Sequence, residues 1–183
     1  MSQIELVVLM GEDGSATGSA PKSEVHTAET PLHLAFSCYL LDDSGRLLLT
    51  RRALTKRTWP GVWTNSFCGH PGPGEDIESA LHRRAFQELN VEVERVELQL
   101  PDFRYRAVDA NGIVENEICP VYTAVAHGPV LPEPDEVAEW AWVEPDDAIR
   151  SLQSTPFIFS PWLREQLPAL ASVAEFSGAQ SHG

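Results

Sequence analysis

A thiol, an imidazole and two carboxylates lie in two short segments of this 183-residue chain. Cys68 precedes His70 by two residues, and Glu115 and Glu117 follow well downstream. Thiols and carboxylates can transfer protons, and imidazoles and carboxylates are common metal ligands. The combination therefore predicts an enzyme that uses a metal site together with a proton-transfer pair.

Glu115 and Glu117 are separated by one residue, so in an extended strand both carboxylates point to the same face. Two like charges side by side repel each other, which favours a cation between them. With His26, His33 and His70, the two glutamates could surround one octahedral ion such as Mg²⁺, Mn²⁺ or Zn²⁺. The alternative is a pair of solvated carboxylates on an exposed strand, with structural or exposed histidines.

The segment Glu75 to Leu89 is the clearest predicted helix, because apolar residues recur at four-residue spacing. With Ile77 at zero and ~100° per residue, Arg84 falls at about −20° and Glu88 at about +20°. Both charges therefore face the protein body, where an unpaired charge is costly. They form either a simple buried ion pair or part of a site, in which Arg84 binds an anion and Glu88 a metal. We favour the site.

Several basic residues cluster in an otherwise acidic chain, namely Lys22, Arg51, Arg52, Lys56 and Arg57. Lysine and arginine usually cover solvated surface, and composition alone favours that interpretation here. The alternative is a grip on a diphosphate, completed by Arg84 and Mg²⁺.

The elements that must position these residues are strands and helices in irregular order, which predicts an α+β fold. Besides the helix over 75–89, we expect helices from Pro145 to Leu152 and from Pro161 to about Phe176. Residues 12–23 are predicted to form a surface loop, and residues 177–183 a disordered tail. Strands are expected over residues 4–10, 34–41, 47–52, 91–98, 103–108, 117–126 and 137–143.

Composition limits the class of protein and its partners. The length fits one domain over residues 1–183, and 43% hydrophobic with 22% charged residues is ordinary for a globular protein. A net charge of −14 argues against nucleic acid and anionic membranes, because both require a cationic surface. The apolar runs are too short to span a bilayer and no secretory signal is visible, so we expect a cytoplasmic protein.

Cysteine usage does not indicate a disulfide framework. There are three cysteines at wide spacings and no CxxC pair. We interpret Cys38 and Cys119 as small buried hydrophobic residues, which leaves Cys68 as the candidate for chemistry.

An ordered set of segments over residues 4–165 closely resembles type I isopentenyl diphosphate isomerase. The resemblance implies the Nudix fold, an α/β/α sandwich around a mixed sheet. The segments that carry it are His26 and His33, Thr50-Arg51-Arg52-Ala53, Trp59-Pro60-Gly61-Val62-Trp63-Thr64-Asn65-Ser66, Cys68-Gly69-His70-Pro71, Asp102-Phe103-Arg104-Tyr105-Arg106 and Glu115-Asn116-Glu117.

Residues 69–91 can also be compared with the Nudix hydrolase box. Gly69, Glu75, Arg83 and Glu88 fall on the expected spacing. Arg84 and Gln87 stand where hydrolases carry glutamates that hold metals and activate water, and Asn90 replaces a glycine. This departure disfavours hydrolysis. Asn90 can still adopt the left-handed conformation of a helix terminus.

The resemblance implies a role for each candidate residue. Cys68 and Glu117 would be the acid–base pair, with Tyr105 assisting at the Glu117 side. Glu88 would bind a second metal, Mg²⁺, that bridges to the diphosphate, and Trp162 would form an aromatic wall over the isoprenoid tail. A first metal site would comprise His26, His33, His70, Glu115 and Glu117, and the diphosphate contacts would be Lys22, Arg52, Lys56 and Arg84.

The implied reaction moves a double bond, from isopentenyl to dimethylallyl diphosphate, through an intermediate with tertiary carbocation character. It needs two proton-transfer groups on opposite faces of the alkene, and a dry pocket in which Trp162 can stabilise the cation. Which of Cys68 and Glu117 donates the proton is open. Two alternatives are a Nudix-type diphosphate hydrolase and a non-catalytic diphosphate-binding module. We expect a monomer whose partner is the small-molecule substrate.

Overall fold

The computed structural model of the protein describes residues 5–173. Its helices are α1 (Lys22–Val25), α2 (Ile77–Leu89), α3 (Pro145–Ser154) and α4 (Pro161–Ala171), with a short 3-10 helix at Pro156–Ile158. Its strands are β1 (Leu6–Met10), β2 (Ala16–Pro21), β3 (His33–Leu34), β4 (Phe36–Leu41), β5 (Leu47–Arg52), β6 (Trp63–Thr64), β7 (Phe67–Gly69), β8 (Glu92–Leu100), β9 (Arg104–Val108), β10 (Val114–Ile118), β11 (Val121–His127) and β12 (Val137–Val143).

The strands form two sheets. The first has the order β2-β1-β3-β10-β9. The second follows the path β12-β5-β4-β11-β8, with β6 paired to β5 and β7 paired to β4. Each sheet mixes parallel and antiparallel pairs, since β3–β10 and β4–β11 are parallel and their neighbours antiparallel. The α+β prediction is therefore confirmed.

Side-chain alternation along β4 places helices on both faces of the second sheet. Phe36, Cys38 and Leu40 belong to the core cluster that packs under α2. Tyr39 points the other way, into the cluster built with α3 and α4. The seven-stranded sheet with helices on both faces is the predicted α/β/α sandwich. The five-stranded sheet is a second sheet beside it.

Two chain segments run side by side through both sheets, and they position the site. β3 continues into β4 after Ala35, and β10 continues into β11 after two residues. Because β3 and β10 are parallel, Glu117 lies opposite His33 in the register. The parallel pairing of β4 with β11 places Ser37 beside Val121, and the pairing of β4 with β7 places Cys68 opposite Ser37.

Three predictions of the elements were wrong. Residues 16–25 form β2 and α1 instead of a loop. β2 is a polar, exposed edge strand that pairs with β1 through its backbone, so its sequence shows no alternation of apolar and polar residues. The strands expected over 34–41 and 117–126 are each two strands, because the chain crosses there from one sheet to the other. The last helix ends at Ala171, and the predicted tail falls outside the described residues.

Cys38 and Cys119 are buried, as predicted, and Cys68 is half-buried. Over residues 5–173, none of the helices has the length and apolar character that crossing a bilayer requires.

Candidate functional site

A cavity of about 710 Å³ opens between the two sheets. That volume is within the range of small-molecule sites. Every site residue predicted from the sequence lines it except His33, which is fully buried behind its wall. The lining residues among those predicted are Lys22, His26, Arg52, Lys56, Cys68, His70, Arg84, Glu88, Tyr105, Glu115, Glu117 and Trp162.

Four predicted metal ligands converge at one end of the cavity. One potential ligand atom from each of His26, His33, His70 and Glu117 lies within 4.8 Å of the others. Glu117 Oε1 is 3.1 Å from His70 Nε2 and 3.4 Å from His33 Nε2. The residues come from α1's C-terminal boundary, β3, the end of β7 and β10, so the fold assembles the cluster from four distant segments.

The hydrogen bonds of the cluster fit a metal ion. His33 Nδ1 lies 2.9 Å from the carbonyl of Pro31, which fixes the proton on Nδ1 and turns the lone pair of Nε2 toward Glu117. The buried atoms His26 Nε2, His33 Nε2 and His70 Nδ1 have no hydrogen-bond partner among the described residues. Unpartnered imidazole nitrogens beside a buried carboxylate form a donor set that suits a divalent transition ion.

Electrostatics favours the ligand forms of most of these groups. Burial, with the nearby charge of His70, lowers the pKa of His26 to about 4. Burial also lowers the pKa of His70. Burial opposes protonation of His33, but the Glu117 carboxylate outweighs it and raises that pKa. Burial acts to raise the pKa of Glu117, yet the adjacent imidazoles of His33 and His70 hold it well below its usual value.

Glu115 lies outside the four-residue cluster, although it shares a strand face with Glu117 as predicted. Its Oε1 accepts a hydrogen bond from Thr58 Oγ1 at 2.8 Å, and its Oε2 accepts one from the Tyr105 hydroxyl at 2.6 Å. Burial and the adjacent charge of Glu117 raise the pKa of Glu115. Tyr105 therefore contacts Glu115 directly, and its predicted catalytic assistance at the Glu117 side stays a prediction.

Cys68 lines the same cavity and is embedded in polar side chains on its other side. Its Sγ lies 3.4 Å from Ser37 Oγ and 3.4 Å from the side-chain amide of Asn65. Burial raises the pKa of the thiol to about 12, although the hydrogen bonds from Ser37 and Asn65 oppose this. At neutral pH the sulfur therefore carries its proton.

Trp162 forms part of the wall between these groups. It is 2% exposed, and its indole Nε1 donates to Asn65 Oδ1 at 2.9 Å. Its ring meets those of Trp59 and Tyr105 with centroids 5.6 Å and 5.7 Å away. The Arg52 guanidinium carbon lies 5.6 Å from the Trp162 ring centroid, while Arg52 Nη2 and Nε donate to the carbonyl of Thr58. The wall is thus rigidly held.

The predicted diphosphate-binding cations also line the cavity, and three of the four are paired with a carboxylate. The fourth, Arg52, donates to the backbone carbonyls of Thr58 and Trp59 instead. Lys22 Nζ is 2.8 Å from Glu5 Oε2, and Lys56 forms an ion pair with Glu136. Arg84 pairs with Glu88, and its Nη2 is 3.6 Å from Glu136. Arg84 and Glu88 are therefore a buried ion pair that also lines the cavity, and their roles as anion and metal ligands stay predictions.

Several carboxylates and hydroxyls that contact the predicted site residues were not predicted from the sequence. Glu5, Glu136 and Thr58 contact predicted site residues, but acidic residues and threonines are common in the chain and none carries a motif signal. Arg57 also lines the cavity, whereas Arg51 pairs with Glu139. The basic cluster in the sequence therefore indicated the region of the cavity, but it did not indicate which of its residues line the cavity.

Comparison with known proteins defines the class first. Residues 31–165 match the NUDIX domain family. A crystal structure of DR0079 from Deinococcus radiodurans has the same fold, with a TM-score of 0.70 over 90% of this chain and 98% of that one, at 18% identity.

Two bacterial relatives define the family more narrowly. The isopentenyl-diphosphate Delta-isomerase of Clavibacter michiganensis subsp. michiganensis (strain NCPPB 382) is 63% identical, over 91% of this chain and 86% of its own. The protein of the same name from Paenarthrobacter aurescens (strain TC1) is 59% identical, over 93% and 92%. The chain therefore belongs to the NUDIX-domain family and, within it, to the isopentenyl-diphosphate Delta-isomerase family, as the resemblance predicted.

Proposed function

We propose that the protein converts isopentenyl diphosphate into dimethylallyl diphosphate. The observation that carries the proposal is the cavity, which is lined by Cys68 and Glu117, by two further residues of the metal-ligand cluster and by the cations Lys22, Arg52, Lys56 and Arg84. The names of the relatives from two bacteria support the same activity.

Cys68 and Glu117 form the proposed proton-transfer pair. One of them adds a proton to the terminal alkene carbon, and the other removes a proton from the allylic methylene, so the double bond moves and no group leaves. The transfer requires a held substrate and excluded water. Tyr105, hydrogen-bonded to Glu115, keeps the carboxylate side of the cavity ordered.

Two metal sites belong to the proposal. Mn²⁺, Mg²⁺ or Zn²⁺ would be held by His26, His33, His70, Glu115 and Glu117, and would supply positive charge beside the carboxylates. The second site would hold Mg²⁺ at Glu88, and would neutralise charge on the diphosphate.

The diphosphate would be bound by Lys22, Arg52, Lys56 and Arg84, and it would replace the present carboxylate partners of Lys22, Lys56 and Arg84. Trp162 would face the isoprenoid carbons, where an aromatic ring stabilises a desolvated cation by ~2 kcal/mol or more. The proposed form is a monomer in the cytoplasm.

Incubation in D₂O with isopentenyl diphosphate and Mg²⁺ tests the function, with NMR and phosphate release as the two readouts. We expect deuterated dimethylallyl diphosphate and no released phosphate. Phosphate without isomer would instead favour a diphosphate hydrolase, and no turnover in metal-loaded, reduced protein would favour a binding module.

Cys68→Ala tests the acid–base pair. We expect kcat to fall by roughly 10²- to 10⁴-fold, because a positioned proton donor or acceptor contributes about that much. Cys38→Ala is the matched control, since Cys38 is a second buried thiol outside the cavity lining, and it should keep its activity. Full activity of the Cys68 variant would remove the thiol from the mechanism.

A further inference from the structure

A line of fully buried polar side chains connects helix α4 to the sulfur of Cys68. The hydroxyl of Tyr39 donates to Gln166 Oε1 at 3.0 Å, and Gln166 Nε2 donates to Ser37 Oγ at 2.9 Å. Ser37 Oγ lies 3.4 Å from the sulfurs of both Cys68 and Cys119. Tyr39, Ser37 and Gln166 are each 0% exposed, so these groups have to satisfy one another.

The chemistry of these groups sets the direction of each hydrogen bond. The Gln166 amide oxygen is occupied by Tyr39, so its NH₂ group faces Ser37 and can only donate. Ser37 must therefore accept with one lone pair, which leaves its own proton and a second lone pair for the two sulfurs. Among the described residues, Ser37 Oγ is the one hydrogen-bond partner of the Cys119 sulfur, so the buried Cys119 S–H donates to that lone pair. The Ser37 proton is left for Cys68.

Asn65 does not compete for the thiol proton. Its Oδ1 lies 3.4 Å from the Cys68 sulfur but already accepts from Trp162 Nε1 and Thr64 Oγ1, each at 2.9 Å. Its Nδ2 donates to the backbone carbonyls of Cys38 and Phe67 and also lies 3.4 Å from the Cys68 sulfur, where an amide nitrogen can only donate. With Ser37 donating to the sulfur from behind, the proton of Cys68 is directed away from both neighbours, toward the cavity.

We propose that Gln166 is a positioning residue that acts through Ser37, fixing the Ser37 hydroxyl as a donor to the Cys68 sulfur. The role rests on the proposed function, because it matters for a reaction in which Cys68 exchanges a proton with the substrate. Gln166 lies one helical turn from Trp162 on α4, so one helix positions both the aromatic wall and the thiol.

Gln166→Met and Ser37→Ala, alone and combined, test the pathway. Each single variant should lower kcat about tenfold, which is the rate effect of one hydrogen bond to a reacting group, and leave KM for isopentenyl diphosphate within about twofold. Because Gln166 acts through Ser37, the double variant should lose no more than Ser37→Ala alone. Multiplied losses, or losses that lie mainly in KM, would overturn the proposal.

A second readout does not depend on turnover. In metal-loaded protein at one fixed pH, alkylation by iodoacetamide is followed for each cysteine by peptide mass spectrometry. Both single variants should slow modification of Cys68 by the same factor, about tenfold, because a hydroxyl donor stabilises the reacting thiolate. Cys38 should be unaffected. An unchanged Cys68 rate, or faster modification of Cys38 as well, would count against the proposal. A wild-type protein without isomerase activity would instead refute the proposed function, and the alkylation result would still stand.

Thr123→Val is the matched control. Thr123 is buried on β11, and its hydroxyl accepts a hydrogen bond from the side-chain amide of Gln99 at 3.0 Å. Thr123 lies opposite Tyr39 in the register, but its hydroxyl makes no hydrogen bond to Ser37, Gln166 or Cys68. The control removes the same kind of amide–hydroxyl bond, so it should lower stability comparably without changing kcat or the alkylation of Cys68.

Discussion

At the scale of single residues, the orientation of the His33 imidazole determines how the candidate metal ligands face one another. The Pro31 carbonyl holds the Nδ1 proton of His33, and Nε2 is thereby presented to Glu117. His70 Nε2 approaches the same carboxylate oxygen at 3.1 Å. Glu117 is thus the common neighbour of two histidines, and both act to lower the pKa of its carboxyl group.

His70→Gln should weaken Mn²⁺ binding at least tenfold, because it removes a nitrogen ligand from a four-residue cluster. Isothermal titration calorimetry of the reduced protein measures the dissociation constant. His82→Gln is the control, since His82 is exposed on α2 and belongs to no cluster. Equal affinity in the two variants would contradict the assignment of His70.

The types of the site residues were predictable from the sequence, but their partners were not. The spacing of Glu115 and Glu117 correctly predicted a shared strand face, whereas nothing in the sequence indicated that Thr58 and Tyr105 hydrogen-bond Glu115. Such contacts depend on strand register. Alternation of apolar and polar residues predicts which face of a strand is buried, but it does not predict which residue of a neighbouring strand lies opposite.

At the scale of elements, the end of α2 shows how a departure from a motif is accommodated. Asn90 has φ 48° and ψ 39°, the left-handed conformation that was predicted for it. Its side chain adds something a glycine could not, since Nδ2 donates to the Leu131 carbonyl at 2.8 Å and to Glu133 Oε1 at 2.7 Å. Asn90 therefore ties α2 to the loop that carries Glu136.

Gly69→Ala should destabilise the protein by about 1–3 kcal/mol, because β7 and α2 pack too closely for a methyl group. A Cβ at this position would lie 2.7 Å from Arg84 Cγ and 2.7 Å from Phe36 Cζ. Urea denaturation followed by tryptophan fluorescence measures the change in free energy of unfolding.

Gly72→Ala is the control for that measurement. The nearest atom to an added Cβ at Gly72 is Glu75 Oε2 at 3.7 Å, an ordinary contact. A loss at Gly72 as large as that at Gly69 would mean that glycine flexibility, and not space, is the cause.

Elements with apolar periodicity were predicted well and those without it were missed. The helix over 75–89 and the strands over 47–52 and 137–143 agree with α2, β5 and β12. β2 was missed because it is stabilised by backbone pairing with β1, and such pairing does not depend on the type of side chain. The crossing near Ala35 was missed because the sequence stays apolar on both sides of it, from Leu34 to Phe36.

At the scale of the whole molecule, the site exists because two sheets meet. His33 and Glu117 belong to the five-stranded sheet, whereas Cys68 belongs to the seven-stranded one. Residue patterns could not place these groups together; only the ordered resemblance to a known family did so. The net charge of −14 likewise gives no indication that several cationic side chains line the cavity.

Metal binding should stabilise the whole fold, because the cluster joins four distant segments. With Mn²⁺ at about 100 times its dissociation constant, the free energy of unfolding should rise by about 2.7 kcal/mol, raising Tm by roughly 5–10 °C. Differential scanning calorimetry with and without a chelator measures this shift. His70→Gln should show a much smaller one, and an equal shift would place the ion elsewhere.

The pairing of Arg84 with Glu88 has a thermodynamic consequence for the two ligands of the proposed reaction. A diphosphate would take Arg84 and Mg²⁺ would take Glu88, so either ligand breaks the same ion pair. The ligand that arrives first pays the cost of separating it, and the second finds its partner already released. Diphosphate and Mg²⁺ should therefore bind with positive cooperativity, each raising the affinity for the other by the same factor.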